Sequence, residues 1–234
     1  MGGDYRIYHI EISGKALNLA IRGNWSFGDD QWVTDVRKIV EFERGFWRDN
    51  KFPYLLITLT PLDQDTGSTG GTALTDALMM HLSRQDQLPP STLGTVAHEV
   101  FHLWNPGRIG SRPGSDYPVS WFFEGFTLYY QDVMLFRARM IDLPTFVETV
   151  NTKLRAYATG DGVNASLDEF IRRHSADYSS LNQLDDRRGA VLALWLDATI
   201  RAKTRNKSSL DDLMFRMVDQ ESKYEKRHDD KPMP

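Results

Sequence analysis

The sequence predicts an α+β fold in which the strands come mainly first and the helices later. Short runs with strand-like alternation of apolar and polar residues fill much of the first 82 residues. Apolar residues at helical spacing dominate from Ser91 onward. Proteins whose strands and helices are segregated in this way belong to the α+β class rather than to the alternating α/β class.

The composition fits an ordinary globular protein. The chain has 234 residues, of which 41% are hydrophobic and 26% charged. This indicates one domain, or one domain built as two lobes around a cleft. The net charge of −4 excludes a broad basic surface for nucleic acid. The absence of cysteine excludes disulfides, thiolate metal sites and a cysteine nucleophile.

The sequence predicts no membrane span, because it contains no run of about 18 apolar residues. A charged-then-apolar signal peptide is not found at the start either. A soluble protein is therefore expected. Its compartment stays open between the cytoplasm and export to the periplasm, and its oligomeric state is open as well.

The N-terminal region is predicted to contain a hairpin, a helix and a buried strand. Residues 5–12 and 16–21 form the hairpin, and a helix begins at Asp29 and reaches about Phe46. The apolar run 54–60 is the buried strand. Residues 61–72 are rich in Gly, Asp, Ser and Thr and predict a loop, whereas 73–82 is ambiguous between strand and helix.

The remainder is predicted to be mainly helical. Ser91 is the expected cap of one helix, and the prolines and glycines of 105–118 predict a loop. Further helices are expected over 121–140, after Pro144, after the capping box at 166–169, over 189–200 and over 209–218. The segment 189–200 is apolar almost all round, which predicts a buried helix.

One motif in the helical region carries chemistry: His98-Glu99-Val100-Phe101-His102. Residues four apart lie on one helical face, so two imidazoles can bind one metal ion at about 2.0–2.1 Å, the zinc–nitrogen distance. Glu99 points about 100° away, where it can act as general base towards a water on the metal. The alternative is chance placement of two of the six histidines.

Two histidines leave a catalytic zinc one protein ligand short. Glu124 is the best candidate, because it is the only acid between Asp116 and Asp132 and stands among aromatic residues. A carboxylate in such surroundings is costly unless it is paired or bound to a metal. Gln131 lies seven residues further on the same face, where it is either a partner of the metal ligands or a surface glutamine.

These motifs carry a resemblance to a known family. His98-Glu99-x-x-His102-x-Trp104-Asn105, followed by Glu124-Gly125-x-Thr127-x-Tyr129-Tyr130, resembles the glycyl aminopeptidase family of zinc metallopeptidases. The resemblance implies a thermolysin-like catalytic unit with Zn²⁺ as cofactor and glutamate as third ligand. Relatives usually carry further domains, so the chain is expected to be an excised catalytic unit or a reduced relative.

The implied organisation has three parts. Residues 1–105 form an N-terminal α+β lobe that ends in the active-site helix. Residues 106–220 form a helical lobe that carries the third metal ligand. Residues 221–234 are charged, lack periodicity and are expected to be a flexible tail.

Two departures from the family pattern affect the expected activity. Relatives place an oxyanion-stabilising tyrosine three residues before a glycine, whereas here Asp186 precedes Gly189. Tyr178 is the tentative substitute, with His174 and Arg188 as alternatives. Relatives also place an acid in a glycine-rich edge strand to hold the substrate amine, but Gly70-Gly71-Thr72-Ala73-Leu74 has none. Asp76 or Asp65 are possible replacements.

Two main functional hypotheses follow. The first is a zinc-dependent peptidase, possibly an aminopeptidase, that binds an extended peptide along the strand near Gly70 and uses Glu99 as base. The second is a zinc-binding pseudoenzyme that binds peptides without efficient hydrolysis, which Asp186 favours. A metal-free helical scaffold is the third alternative, and it requires the three ligands to converge by chance.

Overall fold

The computed structural model describes residues 3–62, 69–83, 88, 90–110, 119–160, 163, 166 and 178–229. The side chains of 178–185 and 224–229 are outside the described part. The predicted Asp65, His174 and residues 167–169 of the capping box also lie outside it. Within the described part the protein has a small sheet followed mainly by helices, which confirms the α+β class.

The sheet has five strands in the order β1-β2-β3-β5-β4. The first pair, β1 and β2, is the predicted hairpin, with a two-residue turn at Ser13 and Gly14 whose φ angles of 52° and 77° suit such a turn. β3 runs parallel to β2 and β5, whereas β4 is antiparallel to β5. The strand bounds are β1 Arg6–Ile12, β2 Lys15–Ile21, β3 Tyr54–Pro61, β4 Thr69–Ala73 and β5 Ala77–Leu82.

Strand β4 lies where the composition of 61–72 predicts a loop, whereas the resemblance implies an edge strand near Gly70. Glycine and threonine are poor evidence for a strand by themselves. Pairing with β5 provides hydrogen-bond partners for the backbone N–H and C=O groups of this segment. Gly70 and Gly71 therefore lie in a strand at one end of the sheet. Most of the segment 73–82, which is ambiguous in the sequence, is a strand. Its residues 77–82 form β5, which pairs with β3 on one side and with β4 on the other.

Two helices cover one face of the sheet. Helix α1 spans Asp29–Trp47 and contacts β1, β2 and helix α2, and α2 spans Pro90–Phe101 and contacts β4 and β5. Alternate residues of the three central strands form the buried layer beneath them. These residues are Leu17, Leu19, Ile21, Leu55, Ile57, Leu59, Leu78, Met80 and Leu82.

Helix α1 places two adjacent ionisable residues in this core. Glu43 is fully buried and Arg44 is 4% exposed. Burial raises the pKa of the Glu43 carboxyl well above its usual range, and burial lowers the pKa of Arg44, which nearby Asp49 partly offsets. Glu43 follows Val36 and Val40 on the inward stripe of the helix, so its position rather than its polarity determines its burial.

The remaining helices are α3 Ser120–Arg137, α4 Leu143–Ala158, α5 Tyr178–Thr204 and α6 Leu210–Asp229. The cap predicted near 209 is confirmed, since the Ser209 amide donates to the Asp212 carboxylate at 2.8 Å. Ser91, in contrast, lies inside α2 rather than at its cap. None of the helices in the described part is long and apolar enough to span a membrane.

Two expectations for the C-terminal region differ from the structure. Residues 189–200 are helical, but the helix is not buried all round, because Trp195 is 60% exposed. Helix α6 reaches Asp229, beyond the end predicted near residue 218, and the flexibility expected for 221–234 stays a prediction. Glu221 lies against Gly110, where an added Cβ would be 3.0 Å from its carboxyl carbon.

The chain folds as two compact units. One comprises residues 1–103 and 131–143, and it holds the sheet with α1, α2 and the end of α3. The other comprises residues 104–130 and 144–234, and it holds the first part of α3 with α4, α5 and α6.

Candidate metal centre

The two motif histidines stand at the end of α2, as the spacing predicts. Their Nε2 atoms are 3.0 Å apart. The amide of His102 donates to the carbonyl of His98 at 3.2 Å, which extends the helical turn one residue past Phe101. Phe101 is fully buried and packs near Trp47 with ring centroids 5.1 Å apart, which fixes this end of the helix against α1.

One ligand atom from each of His98, His102 and Glu124 lies within 4.8 Å of the others. All three side chains are half-buried. A tetrahedral zinc with bonds of about 2.0–2.1 Å needs nitrogen ligands about 3.3 Å apart, and the imidazole pair is close to that separation. Two imidazoles and one carboxylate match the donor set of a catalytic zinc site, so these residues fit the ion.

Glu99 lies next to the edge of the sheet. It is 8% exposed, and a Cβ added at Gly71 of β4 would overlap its side chain. Only glycine at position 71 leaves room for the Glu99 carboxylate to lie against the strand. The candidate base and the predicted substrate strand are therefore adjacent, a fit that the sequence motif alone does not reveal.

The helical turn of α3 that carries Glu124 packs closely against the backbone of α5. A Cβ added at Gly125 would lie 2.7 Å from the carbonyl carbon of Gly189, and one added at Gly189 would overlap the carbonyl oxygen of Trp121. The two helix backbones meet at these glycines. The sequence marks Gly189 only as the glycine that follows Asp186, and its packing role was not predicted.

Asp186, the position at which the resemblance implies a tyrosine, is close to this contact. Asp186 is half-buried, and its backbone carbonyl oxygen is 2.8 Å from the place of a Cβ on Gly125. Tyr178 is the first residue of α5, two turns before Asp186, and its side chain is outside the described part. Arg188 donates to the carbonyl of Val163 at 3.1 Å. The tentative role of Tyr178 thus stays a prediction.

The other candidates have ordinary contacts. Gln131 donates to Asp132 at 3.3 Å, and its amide packs against Gly94, one turn before His98 on α2. It thus contacts the histidine helix, which keeps its supporting role open. Asp76 lies at the turn between β4 and β5, where its backbone carbonyl accepts from Leu56 at 3.0 Å.

The sequence around these ligands matches a known family. The sequence profile described as M61 glycyl aminopeptidase matches residues 91–228, which is more than half of the chain and includes the three candidate ligands. The chain belongs to the M61 glycyl aminopeptidase family. This family is one of metallopeptidases, and the resemblance carried by the His98 and Glu124 motifs is confirmed.

A solved structure shows the same fold. An aminopeptidase N family protein from Idiomarina loihiensis superposes with a TM-score of 0.78 at 21% identity, covering 93% of this M61 chain and 41% of that protein. Two structures of a two-domain M1 zinc metallopeptidase variant, with bound L-tryptophan and L-arginine, are more distant. Their TM-scores are 0.41 and 0.40 at 10% identity, covering 92% and 93% of this chain and 51% of theirs. No curated protein sequence matches significantly.

Proposed function

We propose that this M61 family member is a zinc-dependent peptidase. His98, His102 and Glu124 would hold the ion, and Glu99 would act as general base. The observation that carries the proposal is the convergence of the three ligand atoms within 4.8 Å of one another, in a chain whose family is one of metallopeptidases. A bound zinc supplies Lewis-acid polarisation of the scissile carbonyl and an acidified water.

The chain's own residues would do the rest. Glu99 takes the proton of the attacking water and returns it to the leaving amine, the usual path for a carboxylate base in peptide hydrolysis. Its shielded position beside Gly71 favours this role, because a base in a water-poor site interacts more strongly with developing charge. It does not compete as a metal ligand, since its place in the helix points it away from the imidazole face.

The proposed substrate is an extended peptide bound along β4. This strand pairs only with β5 among the described strands, so its other edge offers backbone groups to a peptide. The chain covers only 41% of the Idiomarina loihiensis protein. The activity of a whole protein of that length is therefore assigned to this chain as part of the proposal. We expect the peptidase to have aminopeptidase specificity, with Asp76 as a candidate to bind the free amine of the substrate.

Metal content tests the proposal first. The protein is purified without chelator, and zinc per chain is measured by elemental analysis beside Glu124→Ala and a matched control, Glu41→Ala, whose side chain is exposed on α1. We expect about one zinc per chain in the wild type and the control, and loss in Glu124→Ala. Absence of bound zinc after zinc addition would falsify the proposal.

Peptide hydrolysis separates the two functional alternatives. Zinc-loaded wild type is assayed with matched peptides that carry a free or an acetylated N-terminus, beside Glu99→Gln. Peptidase activity should fall by about 10²–10⁴-fold in Glu99→Gln, which keeps the shape and loses the base. Zinc and peptide binding without turnover in wild type would favour the pseudoenzyme, the alternative that follows from Asp186 at the position where the resemblance implies a tyrosine.

A further inference from the structure

Asn105 is a buried amide beside the turn that carries Glu124. It is fully buried, three residues after His102. Its Nδ2 donates to the carbonyl of Phe123 at 3.2 Å and lies 3.4 Å from that of Phe122. The same nitrogen donates to Thr127 Oγ1 at 3.2 Å. One amide therefore contacts α3 on both sides of Glu124 in the sequence.

These contacts fix the peptide group that leads into Glu124. The carbonyl of Phe123 belongs to the same planar unit as the Glu124 amide, so a hydrogen bond to it restrains the orientation of the Glu124 backbone. Thr127 is also fully buried, and it lies three residues further, on the next turn of the same helical face. Anchors before and after Glu124 leave its Cα–Cβ direction little freedom to rotate.

From this geometry we infer that Asn105 is a positioning residue for the third metal ligand. It acts through Glu124 and does not contact the ion. Because only two residues separate His102 from Asn105, the chain segment that ends the histidine motif also orients the carboxylate that completes the ligand set. Groups that orient metal ligands lower the cost of organising the site when the metal binds. This inference rests on the proposed zinc site.

Zinc affinity is the measurement that tests it. The dissociation constant is obtained by competition with a chromophoric chelator, at a temperature well below the unfolding of every variant. Asn105→Ala should bind zinc about 10- to 100-fold more weakly than wild type, the usual effect of removing a group that orients a ligand. Thr127→Val, which keeps the shape and removes one acceptor, should show a smaller loss.

A matched control separates positioning from stability. Tyr129→Phe removes a buried hydroxyl from the same helix, one that donates to Asp197 at 3.0 Å and not to the Glu124 turn. It should lower the unfolding temperature and leave zinc affinity unchanged. Cobalt substitution adds a second readout, since the visible spectrum of bound Co²⁺ should change in Asn105→Ala and match wild type in Tyr129→Phe.

The outcomes distinguish this inference from the proposed function. Unchanged zinc affinity in both Asn105→Ala and Thr127→Val, beside normal binding by wild type, overturns the role of Asn105 alone. Failure of the wild type to bind zinc overturns the zinc site and the inference with it. Should Asn105→Ala not fold, Thr127→Val decides by itself, because its substitution is isosteric.

Discussion

At the residue scale, buried polar groups define what the sequence could and could not predict. Asp197 stands in an apolar helical segment, and a buried acid there predicts a partner such as an arginine. The structure confirms this, with Arg201 Nε donating to Asp197 at 2.8 Å. The Tyr129 hydroxyl and the Leu210 amide donate to the same carboxylate at 3.0 and 2.8 Å. Those two partners are distant in sequence and could not be predicted.

The Asp197 cluster makes stability depend on pH. Burial alone would raise the pKa of Asp197, but the hydrogen bonds from Arg201, Leu210 and Tyr129 outweigh it and lower the pKa below 3.8, its usual value. A carboxylate with a lowered folded-state pKa contributes stability above its unfolded-state pKa. That contribution is lost as the pH falls through the folded-state value.

The prediction concerns Asp197→Asn. At neutral pH this variant should lose about 2 kcal/mol of unfolding free energy, because charge-assisted hydrogen bonds become neutral ones. The difference from wild type should be constant above about pH 5 and shrink below about pH 4. Urea unfolding at a series of pH values measures it. A difference that is the same at pH 3 and pH 7 would contradict the role of the ionised carboxylate.

At the element scale, helices and the central strands could be predicted because their apolar spacing is local. The bounds of α1 and β3 differ from the predicted ones by a residue or so. Strand β4 could not be predicted from local signals, since its glycines indicate a loop and its pairing partner is β5. The burial of Glu43 was missed for a different reason: apolar spacing identifies only apolar residues as buried, and the inward stripe of α1 includes an acid.

The contact between α3 and α5 yields a prediction for Gly189→Ala. In an exposed helix this change gains about 1 kcal/mol from helix propensity. Here the new Cβ would overlap the carbonyl oxygen of Trp121 and lie 2.8 Å from the Cα of Gly125. Both are backbone atoms that cannot rotate away. Steric strain therefore outweighs propensity, and we expect a net loss of about 1–3 kcal/mol.

Gly45→Ala is the matched control for this prediction. Gly45 lies on α1, and a Cβ there would meet nothing within 4 Å. The same substitution should raise the unfolding free energy by up to about 1 kcal/mol. Urea unfolding of both variants measures whether each substitution raises or lowers the free energy of unfolding. Equal stabilisation by the two substitutions would show that the glycine contact between α3 and α5 is not tight.

At the scale of the whole molecule, the fold class and the family could both be predicted from one chain. The order of strands and helices predicts the α+β class, and the residues around His98 and Glu124 predict the family. The convergence of the three ligand atoms depends on tertiary structure. The sequence could therefore only identify the three residues as candidates. The support of Glu124 by Asn105 escaped prediction because its acceptors are 17 or more residues away.

Zinc should stabilise the whole chain if the ion binds only the folded state. At a free zinc concentration 100 times the dissociation constant, linkage predicts about 2.7 kcal/mol of added stability. For a chain of this size that corresponds to a rise of roughly 5–10 °C in the unfolding temperature. The rise should largely disappear in Glu124→Ala at the same zinc concentration, because an incomplete ligand set binds weakly. Scanning calorimetry with magnesium in place of zinc supplies the control, since magnesium prefers an octahedral set of oxygen ligands. An equal rise in wild type and Glu124→Ala would mean that zinc acts elsewhere on the protein.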